Sequence, residues 1–303
     1  MKIWILLVFI SLSLSLDSIN IKDNPFLRMK KKEIDTTKIK LDFNKGIDLN
    51  FVTEDPDKGR ISDFFIGEPG IKEIKQKSKD FIPQEISNKD IVTIETTKGV
   101  IKLKLFNEIA PNHVLNFKKL CNSEFYDRTS FHRVLRDFMI QGGDILSRDS
   151  NRENDGTGSP GWAIDAEFSD LKHKRGTLSM ARSNDPNSAG SQFFICVKDA
   201  PWLDGKYTIF GEVVEGLDII DRISNSLTDR DFMLKNTVPK IPNGEKAEDW
   251  IEVMDPVSRK KLYSKILMGE TKSSYMDTVR KALRSSNPYK RIEIIKARVS
   301  SEE

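Results

Sequence analysis

Phe131-His132-Arg133-Val134-Leu135-Arg136-Asp137-Phe138-Met139-Ile140-Gln141-Gly142-Gly143-Asp144 interleaves large apolar side chains with polar groups that a plain core would exclude. Arg133 and Gln141 stand eight residues apart in this mixed stretch, and the Gly142-Gly143 pair marks a tight turn or a close backbone approach. A second stretch has the same character: Leu178-Ser179-Met180-Ala181-Arg182-Ser183-Asn184-Asp185-Pro186-Asn187-Ser188-Ala189-Gly190-Ser191-Gln192-Phe193-Phe194-Ile195. Asp155-Gly156-Thr157-Gly158 lies between them. Neither stretch has the Gly-x-x-x-x-Gly-Lys spacing or the strand–Gly-x-Gly-x-x-Gly–helix setting of a phosphate-binding loop. Phe138, Met139 and Phe194 taken singly read as core; beside Gln141 and Gln192 they read as the wall of a pocket.

Outward from these stretches the pattern is that of short strands. Ile91–Thr96 and Val100–Leu105 are β-branched runs flanking Thr97-Lys98-Gly99, which predicts a hairpin. Ala110-Pro111 opens a helix with Val114, Phe117, Leu120 and Cys121 on one face. Further strands are predicted over Phe138–Gln141, Gly176–Ala181, Gln192–Val197 and Tyr207–Val213, with a second helix over Gly216–Ser224. Ile292–Val299 alternates like a final strand. The expected fold is mainly β: a closed eight-stranded antiparallel β-barrel capped by two helices, with an N-terminal arm and a partly helical insertion. The boundaries are 1–16 for a signal peptide or membrane anchor, 17–88 for a polar, loosely structured extension, and 89–224 for the barrel. Residues 225–290 form the insertion, with Met276, Val279 and Leu283 at helical spacing, and 291–303 the last strand and tail.

Among 303 residues, 49 Lys+Arg nearly balance 46 Asp+Glu, and a net charge of +3 with no basic helix argues against nucleic-acid binding. Ile3–Leu16 carries no charge and follows Lys2; it is short for a membrane span and fits a secretory signal, with a membrane tether as the alternative. The absence of any Asn-x-Ser/Thr acceptor agrees with a bacterial periplasm over a eukaryotic secretory pathway. Cys121 and Cys196 lie in apolar periodic segments and read as buried small hydrophobes. His113, His132 and His173 are too scattered for a metal site, so neither metal nor cofactor is expected.

The two long stretches, in order and followed by Trp202-Leu203-Asp204-Gly205-Lys206 and Phe210-Gly211, resemble the cyclophilin family of peptidyl-prolyl cis-trans isomerases. The likeness covers about half the chain, from Ile91 to Ser224 plus the strand near Ile292. It implies that Arg133 is the catalytic arginine and Gln141 its hydrogen-bonding glutamine. Phe138, Met139, Phe194 and Leu203 would form the proline pocket, with Gly156, Ala181, Gln192 and the rim residue Trp202 along the neighbouring groove. Arg182 and Tyr207 stand where the best-known eukaryotic members have asparagine and histidine; both resemble bacterial members, and weak binding of cyclosporin is expected. The implied partners are flexible proline-containing protein segments, and the implied role is assistance to protein folding, chaperone-like. The alternative is a proline-segment binding or scaffold module with little turnover.

Overall fold

The computed structural model describes residues 68–301. The predicted signal segment and most of the extension lie outside those residues. No helix among them is long and apolar enough to cross a membrane.

The described residues contain ten strands. Asp90–Thr96 (β1) and Gly99–Leu105 (β2) make the expected hairpin, with Thr96 facing Gly99 across a turn in which Gly99 has φ of 135°. Alternate residues of both strands (Val92, Ile94, Ile101, Leu103) are fully buried, as a one-sided sheet requires. Then come Arg133–Leu135 (β3), Met139–Gly142 (β4), Thr177–Met180 (β5), Phe193–Cys196 (β6) and Ile209–Glu215 (β7). Trp250–Met254 (β8) and Lys261–Lys265 (β9) form a separate hairpin, and Ile294–Ser301 (β10) returns to pair with β1. The main sheet runs β10-β1-β2-β7-β5-β6-β4-β3, antiparallel at every ladder.

The expected closed barrel is corrected here: the eight-stranded sheet is open, because its edges β10 and β3 do not share a ladder. One isolated bridge, Ser130–Glu293, crosses the gap, flanked by Phe131 N–H to Ile292 C=O (2.9 Å) and Ile294 N–H to Thr129 C=O (2.7 Å). Beyond it the chain turns away to pair with β4, and the free edge of β3 is occupied otherwise: Val134 N–H donates to the carbonyl of Ser286 at 2.9 Å. That donor is therefore satisfied by the insertion instead of by a closing strand.

Among the described residues there are five α-helices: two cap the sheet as expected, two lie in the partly helical insertion, and one lies in the arm. Pro111–Asn122 (α2) lays Val114, Phe117, Leu120 and Cys121 against the sheet, and Leu217–Ser224 (α3) buries Ile219, Ile220 and Ile223. The core between them is aromatic: Phe117 meets Phe193 and Phe210 edge-on at 5.3 and 5.1 Å, geometry that adds to plain area burial. Cys121 and Cys196 are both buried free thiols. Glu68–Asp80 (α1) gives the C-terminal end of the expected loose arm a regular structure; Ile71 and Ser78 are buried, and Ser123 Oγ lies 2.8 Å from Ser78 Oγ. Lys118 on α2 is buried with Asp90 of β1 at 2.7 Å, and Glu85 C=O and Ser301 complete their hydrogen bonds. A buried pair satisfied in this way ties α2 to both strands at the sheet edge.

The insertion holds its own small core. Asp229–Lys235 (α4) begins with a Thr228/Asp231 capping box, and Lys272–Ala282 (α5) presents Tyr275 and Val279 to Ile251 and Val253 of β8. Met233 and Leu283 complete the cluster.

Candidate active site

The antiparallel register of β3 and β4 sets Arg133 directly opposite Gln141, and the next ladder sets Gln141 opposite Phe194 of β6. Residues on one face of adjacent strands meet side by side, so a cation, an amide and a ring converge on one patch of the sheet. The tight β3–β4 turn, with Asp137 in the left-handed region (φ 61°), delivers Phe138 and Met139 beside them. Met139, Phe194, Cys196, Ala200 and Leu203 form an apolar cluster apart from the main core, with Phe138, Ala181 and Tyr207 packed on it. This cluster is the wall of an open cleft of about 590 Å³.

Of the residues singled out in the sequence, the cleft gathers Arg133, Phe138, Met139, Gln141, Gly156, Ala181, Arg182, Phe194, Leu203 and Tyr207. Gln192 lines a smaller adjoining hollow of about 300 Å³ that shares Gln141, Gly156, Ala181 and Arg182 with it. Trp202 does not line the cleft; it stands 55% exposed at the rim, tilted against Phe138 with ring centroids 5.4 Å apart.

A relay of hydrogen bonds fixes the polar half. Arg133 Nη1 donates to Gln141 Oε1 at 3.2 Å, and Gln141 Nε2 donates to Gln192 Oε1 at 3.0 Å. Gln192 Nε2 in turn donates to the carbonyls of Gly156 and Gly158, both at 2.9 Å. Each amide is held at both ends, so the flexible glutamines carry defined orientations. Partial burial pushes the Arg133 guanidinium below its usual range, the neighbouring Tyr207 opposing this. A guanidinium starts so far above neutrality that it remains a cation. One glycine makes this packing possible: a Cβ on Gly143 (φ 83°) would lie 2.4 Å from the Ser191 carbonyl oxygen, while Gly156 takes a left-handed φ of 85° that a side chain would strain. Gly143 thus lets the two long stretches touch.

The apolar half is held from behind. Phe194 is wedged between His173, stacked at 6.0 Å, and Tyr207, edge-on at 5.8 Å. His173 is buried, and its Nδ1 and Nε2 contact Asp204 Oδ1 and Ser179 Oγ, both at 3.1 Å. Burial pushes the imidazole below its ordinary pKa in spite of Asp204. The Arg182 guanidinium lies 4.6 Å from the Tyr207 ring and donates to the carbonyls of Lys206, Ser183 and Asn184.

Sequence reasoning missed a second group. Arg152, Asp155, and Arg284-Ser285-Ser286-Asn287 of the insertion also line the cleft. Asn287 Nδ2 donates to Asp155 Oδ2 at 2.7 Å, and burial raises the Asp155 carboxyl to about 6 although Asn287 and Arg291 oppose it. No group of His, Cys, Asp and Glu able to hold a metal occurs among the described residues. Nor is an activated nucleophile needed for what the arrangement does best: it presents a cation with directional donors beside an apolar socket.

A model of the cyclophilin type peptidyl-prolyl cis-trans isomerase/CLD family matches residues 91–242. Peptidyl-prolyl cis-trans isomerase-like 1 of Neurospora crassa is 45% identical over 147 residues, covering 46% of this chain and 84% of that protein. Peptidyl-prolyl cis-trans isomerase 9 of Schizosaccharomyces pombe is 47% identical over 142 residues, 45% of this chain. Peptidyl-prolyl cis-trans isomerase CYP71 of Arabidopsis thaliana is 40% identical over 199 residues, 62% of this chain. The chain spans only 22% and 30% of the length of the last two proteins. The matched residues contain both long stretches, the Arg133–Gln141–Gln192 relay and the apolar socket, and the chain belongs to the cyclophilin-type peptidyl-prolyl cis-trans isomerase family.

Proposed function

We propose that the protein accelerates cis–trans rotation of peptide bonds preceding proline in flexible protein segments. The observation that carries this reading is the Arg133 guanidinium, bonded to Gln141 at the lip of a socket walled by Phe138, Met139, Phe194 and Leu203. Amide resonance sets a barrier of ~18–20 kcal/mol to the rotation. At mid-rotation the prolyl nitrogen is pyramidal and recovers its lone pair. N–H donors on a fixed cation aimed at that nitrogen stabilise the twisted form more than either planar form, which is what catalysis requires. The socket grips the pyrrolidine ring while the preceding carbonyl swings, and Gln141 holds the guanidinium fork.

A protease-coupled assay on the full chain with an Ala-Pro peptide tests this. Turnover well above the spontaneous rate, which is tens to hundreds of seconds per event, is the expected result. Saturable peptide binding with no acceleration would favour the alternative, a module that captures proline segments. The contribution of insertion residues 284–287 to the cleft is the feature that suits that alternative.

The same proposal extends to location. The uncharged run 3–16 behind Lys2 supports export, with the folding of exported proteins, chaperone-like, as the role and the bacterial periplasm as the compartment. Residues 3–16 serve as a removable signal in this reading. N-terminal sequencing of the mature protein checks it; a retained Met1 in a membrane fraction would point to a tether.

A further inference from the structure

The charge around the cleft is one-sided. Arg133, Arg152, Arg182 and Arg284 line it, and among the described residues Asp155 is its only acidic lining residue. The insertion's other charges near this face are already matched: Asp229 with Arg152 at 3.3 Å, Asp231 with Arg136 at 3.1 Å, Asp255 with Arg230 at 2.8 Å, and Lys281 with Glu153 at 2.6 Å. Arg182 and Arg284 are not. Every hydrogen bond of the Arg182 side chain goes to a backbone carbonyl. Arg284 is exposed, and no carboxylate among the described residues pairs with it.

The segment that carries Arg284 is fixed in place. Leu283 is buried in the insertion's core, and Arg284 N–H caps the end of α5 on the carbonyl of Lys281 at 3.0 Å. Ser285 Oγ donates to Asp229 at 2.8 Å, Ser286 C=O accepts from Val134 beside Arg133, and Asn287 bonds Asp155 beside Gly156. A wall bonded to β3 on one side and to the glycine loop on the other anchors the backbone that carries Arg284 beside the cleft. An unmatched charge lining a concave site favours ligands of the opposite sign and disfavours those of its own.

We propose that Arg182 and the insertion's Arg284 make this cleft selective for proline-containing segments that carry acidic side chains close to the proline. The proposal rests on the isomerase reading above, and it gives the insertion a part in choosing substrates. It treats the two guanidiniums as specificity determinants, whereas Arg133 acts on the reacting bond.

The test compares three peptides that differ only in the residues flanking Ala-Pro: Glu, Gln or Lys. The quantity read is the ratio of kcat/KM for the Glu peptide to that for the Lys peptide, measured on the full chain. Exposed charge pairs change such ratios by about two- to fivefold each, so a ratio of about ten is expected at low salt. It falls toward one as ionic strength rises from about 0.05 M to about 0.5 M. Arg182→Gln and Arg284→Gln each lower the ratio, and Arg284→Glu lowers it further than Arg284→Gln. Equal rates for the Glu and Lys peptides in the unmodified chain, with normal turnover of the Gln peptide, would overturn the selectivity and leave the isomerase reading standing. Should none of the three be turned over, the isomerase reading fails instead. Selectivity is then judged by fluorescence anisotropy with labelled peptides, where tighter binding of the Glu peptide upholds it and equal binding overturns it.

Discussion

Replacing Gln141 by Leu removes the group that orients the arginine and leaves a shorter, purely apolar side chain in its place. Two bonds are lost: the charge-assisted one from Arg133 Nη1 at 3.2 Å and the neutral one to Gln192 at 3.0 Å. A hydrogen bond to a charged group contributes roughly 1.5–3 kcal/mol, and each 1.36 kcal/mol is tenfold in rate. The expected fall in kcat/KM is therefore about 10- to 100-fold. Arg133→Ala removes the donor itself and should cost about 10²–10³. Because Gln141 acts through Arg133, the double variant should be no slower than Arg133→Ala alone by more than about threefold. The assay is the protease-coupled one, with circular dichroism and a thermal melt to show that each variant is folded. A kinetically silent Gln141→Leu, or losses that multiply in the double variant, would refute the claim that the glutamine works by holding the guanidinium.

Breaking the buried Lys118–Asp90 pair with Lys118→Met strands a carboxylate beneath α2 and should cost about 3–5 kcal/mol, read as a lower denaturation midpoint with an unchanged m-value. Asp155 has a folded pKa of about 6, raised above its unfolded value, so the stability it contributes is full below the unfolded carboxylate range and is lost as pH rises through 6. Asp155→Asn should accordingly raise stability at pH 7.5 by roughly 2 kcal/mol, with the gain gone by about pH 4; melts across that range check the sign. Glu167 and His113 act in the opposite sense. Burial opposes ionisation of Glu167, but hydrogen bonds from His113 and Asn112 hold it low, while burial depresses His113 in spite of Glu167. Their stability is present above the unfolded values and is lost on acidification, so His113→Gln should lessen the loss of stability below about pH 6.5. Gly143→Ala forces a Cβ against the Ser191 carbonyl in a left-handed conformation and should yield little soluble, folded protein.

The main sheet was legible wherever side chains alternate. Ile91–Leu105 announces a hairpin because Val92, Ile94, Ile101 and Leu103 all point into the core, and Pro111 marks the start of α2. That the candidate residues come together was legible because they fall on two runs that the β4–β6 ladder sets side by side, as Gln141 opposite Phe194 shows. Sheet closure was not legible, since it depends on whether Val134 N–H finds β10 or the insertion, and short β3 carries no pattern to decide it. The β8–β9 hairpin was hidden by Ser258-Arg259-Lys260-Lys261, which reads as a solvated face although Lys261 begins a strand. Arg284-Ser285-Ser286-Asn287 has neither period nor motif. Its place in the cleft is set by Leu283 anchoring one end and by backbone bonds, none of which a single sequence displays.

The central claim is that the Arg133 cation lowers the rotational barrier and does not merely help to hold the peptide. Exchange spectroscopy on one Ala-Pro peptide, at matched occupancy of the unmodified chain and of Arg133→Ala, measures that directly. The account predicts cis–trans exchange about 10²–10³ slower in the variant, with peptide affinity changed by no more than a few fold. Undiminished exchange on the occupied variant would contradict it.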